Sequence, residues 1–250
     1  MTAPTVLLLH SGGLSSRQWR GLADQLAPRY RVLAPDLLGY GESGRWPTGQ
    51  PFHFRQDVAF LQSLLAGETA PVHVVGHSYG GLLALQLALH APGLVRSVAA
   101  YEPVAFSVLD PDAGVADAPN DLHWKWEPGD DGVDEAWLRR FVDWWSGPGA
   151  WDRLGAVTKD GFRTAGWKLY QEVVTLARDT TSAAEYAAIR VPVLLLAGAT
   201  SPPLEHQIVE ILGAALPRAV VRVLPGVGHM GPLSHMKLFN RAIEDHLQVA

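Results

Sequence analysis

Cysteine is missing from all 250 positions of the chain. That excludes disulfides, thiolate metal sites and a cysteine nucleophile. Long apolar runs are missing too. The longest apolar start, VLLL at residues 6–9, is too short for a signal-peptide core and follows no basic segment. No stretch approaches the roughly 20 apolar residues of a membrane span. There is also no basic run, and the formal net charge is −5 with a pI near 6.0. Nucleic acid and anionic membranes are therefore not expected as partners. No His/Asp cluster has ligand spacing, so neither a metal nor another cofactor is expected. These absences point to a soluble, cytoplasmic protein.

What is present is apolar residue, 48% of the chain, enough for one large globular domain with an inserted subdomain. Short apolar runs alternate with helical patterns. The strand candidates are TVLLL (5–9), RVLA (31–34), VHVVG (72–76), VRSVAAY (95–101), VPVLLLA (191–197) and AVVRVL (219–224). Helix candidates lie near 16–27, 54–65, 79–90, 203–215 and 234–247. Val- and Leu-rich strands with no polar face are those of a parallel sheet covered by helices, and β–α alternation argues the same. The expected class is α/β, a mostly parallel, doubly wound sheet.

The alternation breaks once, between Pro103 and about residue 185. Helical-looking stretches at 134–146 and 161–178 follow a run rich in Asp, Gly and Trp, and seven of the nine tryptophans fall here. An insertion of this size reads as a helical cap rather than a loop. The expected division is 1–103 with 186–250 as the core and 104–185 as the cap. Most of these tryptophans are expected to pack the cap itself. Adjacent Trp144 and Trp145 cannot share one helix face, so one should look into the cleft; Trp124 and Met230 join them as candidate substrate contacts.

Strand 72–76 runs into Gly76-His77-Ser78-Tyr79-Gly80-Gly81, and an apolar helix follows at once. A serine on a sharp strand-to-helix turn adopts a strained backbone, and glycines two residues to either side leave room for it. The turn lifts the hydroxyl clear of the sheet, at a helix N-terminus that favours developing negative charge. His229, in VLPGVGHMGPLSH (223–235), lies on a glycine-framed loop after the last strand. An imidazole titrates near about 6.5, which suits it to take a serine proton and return it to a leaving group. His77 should point into the core, and His235 and His246 read as surface helix positions. In LLLHSGGLSSRQW (7–19), a second glycine turn faces the Ser78 strand tip. Amides of Gly12 and Tyr79 would form an oxyanion hole there, with His10 organising the turn.

Taken in order, HSGG, DLLGYGES, GHSYGG and GVGHMGP resemble the α/β-hydrolase superfamily over the whole chain. The resemblance implies that fold with a helical cap, although the usual N-terminal hairpin has no counterpart here. It gives Asp36 a structural role. It also implies a triad acid a few residues past the strand after the cap, where this chain has Ser201 in LLLAGATSPPLEH. Serine carries no charge. A minority of the family, similar to zearalenone-type lactonases and some haloalkane dehalogenases, keeps its acid at the end of the strand after the nucleophile's helix. Glu102 stands at that point, in AAYEPVAF. Rival acids are Glu205 and Asp179, with a plain Ser–His dyad also open.

The reading this supports is a serine hydrolase of a carboxylic ester or lactone with an apolar or aromatic group, without cofactor. Ser78 is the nucleophile, His229 the base and Glu102 the orienting acid. Dehalogenase chemistry is disfavoured because those relatives use aspartate where Ser78 stands. The alternatives are a carbon–carbon hydrolase or lyase on the same residues, and a non-catalytic receptor that keeps the fold.

Overall fold

The computed structural model describes residues 3–109 and 125–250. Six strands form one sheet: β1 (Thr5–Leu9), β2 (Arg31–Leu33), β3 (Val72–His77), β4 (Val95–Tyr101), β5 (Val193–Gly198) and β6 (Ala219–Leu224). Their order is β2-β1-β3-β4-β5-β6, and every neighbouring pair is parallel. The sheet among the described residues is thus all-parallel, where the sequence suggested mostly so.

Alternation within β1, β3, β4 and β5 feeds two cores, while the edge strand β6 leaves Val220, Val221 and Val223 exposed. Leu7, Leu9, Val74, Ala100 and Leu195 face one, while Val6, Leu8, Val75, Ala99 and Leu194 face the other. The first is covered by α2 (Phe54–Leu65), α3 (Tyr79–His90) and α6 (Pro203–Ala215), the second by α1 (Arg20–Leu26) and α7 (Met236–Val249). With apolar residues on both sides, the strands are stable only when both faces are covered, and the crossover helices supply that cover. α3 is buried nearly all round, as its sequence YGGLLALQLALH requires.

Between β4 and β5 the chain adds α4 (Glu135–Ser146) and α5 (Ala156–Leu176). α5 begins five residues before the expected 161. Its own aromatic core joins Trp126, Trp137, Phe141 and Tyr170, with ring centroids 5.3–5.8 Å apart along the chain of contacts. Trp137 and Trp151 are fully buried, as a self-packing segment demands.

One placement differs from expectation. His246 is not a surface residue: it is buried on the inner face of α7, with Phe239, Ile243 and Leu247 on the same stripe. Burial lowers its pKa to about 4. His235 is exposed, as expected.

The order of strand addition switches sides at β1: β2 lies on one side of it and β3 on the other, and the carboxyl ends of β1 and β3 lie side by side in the register Leu9–Gly76. Open α/β sheets present their binding crevice at such a switch point.

Candidate active site

β3 ends at Ser78, whose φ of 55° and ψ of −116° lie outside the regions a side chain favours. The turn is possible because its glycines have no Cβ. A Cβ on Gly76 would sit 2.1 Å from the carbonyl oxygen of Gly80, and one on Gly80 2.2 Å from that of Leu9. Tyr79 is the first residue of α3, so its amide has no intrahelical acceptor.

Among the described residues only one other non-glycine has positive φ: Glu102, at 45°. It follows β4 directly, with its amide bonded to the Leu196 carbonyl at 2.8 Å. Its carboxylate is fully buried with both oxygens hydrogen-bonded. Oε2 accepts from His229 Nδ1 at 2.6 Å; Oε1 accepts from the Gly198 amide at 2.6 Å and from the Ser201 hydroxyl. Burial raises a carboxyl pKa, but here the bond to His229, its charge and the Ser201 and Gly198 donors outweigh it, and the pKa falls below its ordinary value. Ser201, at the position where the resemblance implied an acid, donates to the one that stands elsewhere.

The bond to Glu102 fixes Nδ1 of His229 as the protonated nitrogen and leaves Nε2 as the free acceptor. The loop carrying it is tied down on two sides. Tyr101 donates to the Gly228 carbonyl at 2.6 Å, and His77 Nε2 meets the His229 carbonyl at 2.9 Å. His77 Nδ1 in turn lies 3.0 Å from Gln18 Nε2, and Gln18 Oε1 accepts from the Ser11 amide. Burial, then the neighbouring His229, holds the His77 pKa well below the usual range, so it serves as a neutral strut. His10 is likewise structural, between the Ser11 carbonyl and the Leu37 amide.

No hydrogen bond joins Ser78 to His229 in this structure, a looseness common before substrate binds. Instead Trp145 lies flat on the His229 ring, centroids 4.0 Å apart and planes at 26°. Of the adjacent pair it is Trp145 that enters the cleft, with Trp144 packed edge-on behind it. Trp145, Phe141, Val104, Phe106, Leu169, Val173 and Leu176 wall a cavity of about 20 Å³ that also contains Ser78, Gly12 and Tyr79. Met230 is not among its lining residues, and Trp124 lies outside the described residues. A larger cleft of about 1140 Å³ runs outside the loop after β1, past Arg17, Asp36 and Glu42, but includes none of Ser78, Glu102 and His229. Asp36 there accepts the Ser16 and Glu42 amides, a structural role.

Sequence reasoning missed one polar cluster, Glu172 with Lys168 and Asp57. Glu172, on α5, lines the Ser78 cavity and is 1% exposed. Lys168, one turn earlier, donates to its Oε1 and to Asp57 Oδ2 at 2.8 Å. Tyr40 donates to Glu172 Oε2 at 2.8 Å and Tyr79 to Asp57 Oδ2 at 2.7 Å. The ammonium also faces the rings of Tyr40, Phe52 and Tyr79 at 4.3, 4.5 and 4.7 Å. One cation thus serves two carboxylates. Burial raises the Glu172 pKa, Lys168 opposes and Asp57 reinforces, and it reaches about 7.

The other candidate acids stand apart. Asp179 accepts from Ser107 and Thr181. Glu205, in the first turn of α6, is fully buried with neither oxygen hydrogen-bonded to the protein, and burial, then the Glu102 charge, raises its pKa well above the ordinary value. Among the described residues no three His, Asp or Glu side chains are grouped to hold a metal, and no helix is long and apolar enough to cross a membrane.

The sequence pattern of the alpha/beta hydrolase family matches residues 6–242. A pimeloyl-[acyl-carrier protein] methyl ester esterase of Chromobacterium violaceum is 30% identical over 248 residues, 98% of this chain and 94% of that one. A haloalkane dehalogenase of Mesorhizobium japonicum is 39% identical over 103 residues, but these are 40% of this chain and 32% of that relative. Among solved structures, the enol-lactonase of Burkholderia xenovorans LB400 superposes with a TM-score of 0.75 at 21% identity, covering 99% of this chain and 92% of its own.

Proposed function

The chain belongs to the alpha/beta hydrolase family, and from that premise we propose that it is a serine hydrolase acting on a small-molecule carboxylic ester or lactone in the cytoplasm. Residues 1–103 and 186–250 serve as its catalytic core and 104–185 as its cap. The observation that carries the reading is the pairing of strain with contact. Among the described residues the two non-glycines with positive φ are Ser78 and Glu102, and Glu102 meets the imidazole of His229 on the loop after β6. Backbone strain of this kind costs on the order of 1–3 kcal/mol per residue and persists where function requires it.

Chemistry follows from the atoms. Ser78 Oγ attacks the carbonyl carbon as its proton passes to His229 Nε2. The imidazolium so formed is stabilised through Nδ1 by Glu102. Negative charge moves to the carbonyl oxygen, which the Tyr79 and Gly12 amides receive. Collapse expels the alcohol, which takes the proton from His229. Water, activated by the same imidazole, then attacks the acyl-enzyme and restores Ser78. Trp145 on His229 indicates that the cap side chains move aside for substrate. The ester or lactone choice draws support from the esterase and enol-lactonase relatives.

The test is covalent. A fluorophosphonate should label wild-type protein on Ser78, located by peptide mass spectrometry, and should not label Ser78→Ala. An unlabelled wild type would sink the serine-hydrolase reading.

A further inference from the structure

Glu172 is an odd neighbour for an ester-cleaving serine. Other walls of the Ser78 cavity, such as Leu169, Val173 and Phe141, are apolar, and a carboxyl group facing them is costly unless it has partners. It has two, Lys168 on one oxygen and Tyr40 on the other. Each carboxyl oxygen accepts two hydrogen bonds, so each keeps one position open. The position is specific: Glu172 Oε2 lies 2.9 Å from where a Cβ on Gly12 would be.

Sheet order places that point relative to the bond to be cleaved. Gly12 follows β1, on one side of the Ser78 strand β3; Glu102 and the His229 loop follow β4 and β6, on the other. The leaving alcohol departs toward His229. Glu172 therefore faces the acyl side, next to the carbonyl oxygen. Resting on the ester-hydrolase reading above, we propose that Glu172 is a specificity-determining residue that selects acyl groups bearing a hydroxyl on the α or β carbon.

A hydroxyl fits better than other polar groups because it both donates and accepts. It can give its proton to a carboxylate or accept one from a carboxylic acid, so it pairs with Glu172 in either state. An amide N–H serves only the first and a ketone only the second. A carbonyl-adjacent carbon is what reaches Glu172, whose Oε2 lies beside Gly12. Glu172 is already held by Lys168 and Tyr40, so an acyl group without the hydroxyl leaves it only partly unsatisfied. The discrimination is then about ten- to a hundredfold, what one hydrogen bond to a charged group supplies.

The experiment compares methyl β-hydroxybutyrate with methyl butyrate by proton release, in wild type, Glu172→Gln and Glu172→Leu. Wild type should favour the hydroxy ester in kcat/KM by about ten- to a hundredfold. The ratio should fall to near one in Glu172→Leu and stay above one in Glu172→Gln, whose amide still pairs with a hydroxyl. Turnover of both esters by wild type at near-equal kcat/KM overturns the inference and leaves the hydrolase reading standing, whether or not either variant folds. A Glu172→Leu enzyme that keeps the wild-type ratio also overturns it. Turnover of neither ester by wild type overturns the inference, and the hydrolase reading falls with it only if the fluorophosphonate also leaves Ser78 unlabelled.

Discussion

Glu102 and Glu172 flank the same serine with almost no exposed surface, yet the protein treats them in opposite ways. Glu102 receives three donors, the Gly198 amide, the Ser201 hydroxyl and the His229 imidazole. Its pKa falls below the ordinary value. Glu172 receives a full cation, but it shares that cation with Asp57, and its pKa rises to about 7. Burial alone pushes both upward. A neighbouring cation is thus no guarantee of an ionised carboxylate; what decides is the donors left over once its other partners are counted. On the Glu102 side the arrangement holds a fixed charge against an imidazole. On the Glu172 side it holds a proton in balance.

The strongest test of that contrast is Glu102→Gln. It keeps shape but removes the charge that fixes the His229 tautomer, and kcat/KM for a short activated ester should fall on the order of 10⁴-fold. The far-ultraviolet spectrum and cavity should be unchanged, because Gln still accepts from Gly198. A fall of less than tenfold would place the orienting acid elsewhere and remove the functional half of the comparison.

The two sides also differed in how much the sequence revealed. All six strands were legible from apolar runs, and β1, β4 and β6 begin and end where those runs do. Glu102 was found by a gap: Ser201 lacks a charge, and a glutamate closing a buried strand needs a partner. Glu172, Lys168 and Asp57 escaped because the Lys168–Asp57 and Tyr40–Glu172 contacts join segments more than a hundred residues apart, and polar residues on helices ordinarily face water. A signal did exist. Along α5, Ala165, Leu169, Val173 and Leu176 form the apolar stripe, and Lys168 and Glu172 fall within it. A charge pair one turn apart inside a buried stripe should be read as a buried ion pair. His246 was misread by the same default, since it sits on the stripe of Phe239, Ile243 and Leu247.

A smaller effect separates the two carboxylates by sign. A carboxyl whose pKa is lowered on folding adds stability above its unfolded value near 4.5, and that contribution is lost as pH falls through the folded value. One whose pKa is raised does the reverse. Glu172 costs nothing below about 4.5, and stability declines as pH climbs from there to about 7, where the folded carboxyl finally ionises. Measured by thermal unfolding, Glu102→Gln should therefore lose more against wild type at pH 7.5 than at pH 4.5. Glu172→Gln should compare better with wild type at pH 7.5 than at pH 4.5. Parallel trends in the two variants would break the comparison.

The smallest effect concerns a third buried carboxyl, Glu205, which sharpens the rule by having no donors at all. Burial and the Glu102 charge both favour its neutral form. A neutral carboxyl without partners costs about 1–3 kcal/mol in desolvation, and leucine fills nearly the same volume without that cost. Glu205→Leu should raise the melting temperature by a few degrees, given that 1 kcal/mol moves a domain of this size by about 2–4 °C. Activity should stay within a few-fold of wild type, since the Glu205 carboxyl makes no hydrogen bond to His229 or Ser78. A loss of activity approaching that of Glu102→Gln would mean that the two glutamates work as a pair. The acid function would then belong to their shared charge, and the donor count around Glu102 would no longer explain it.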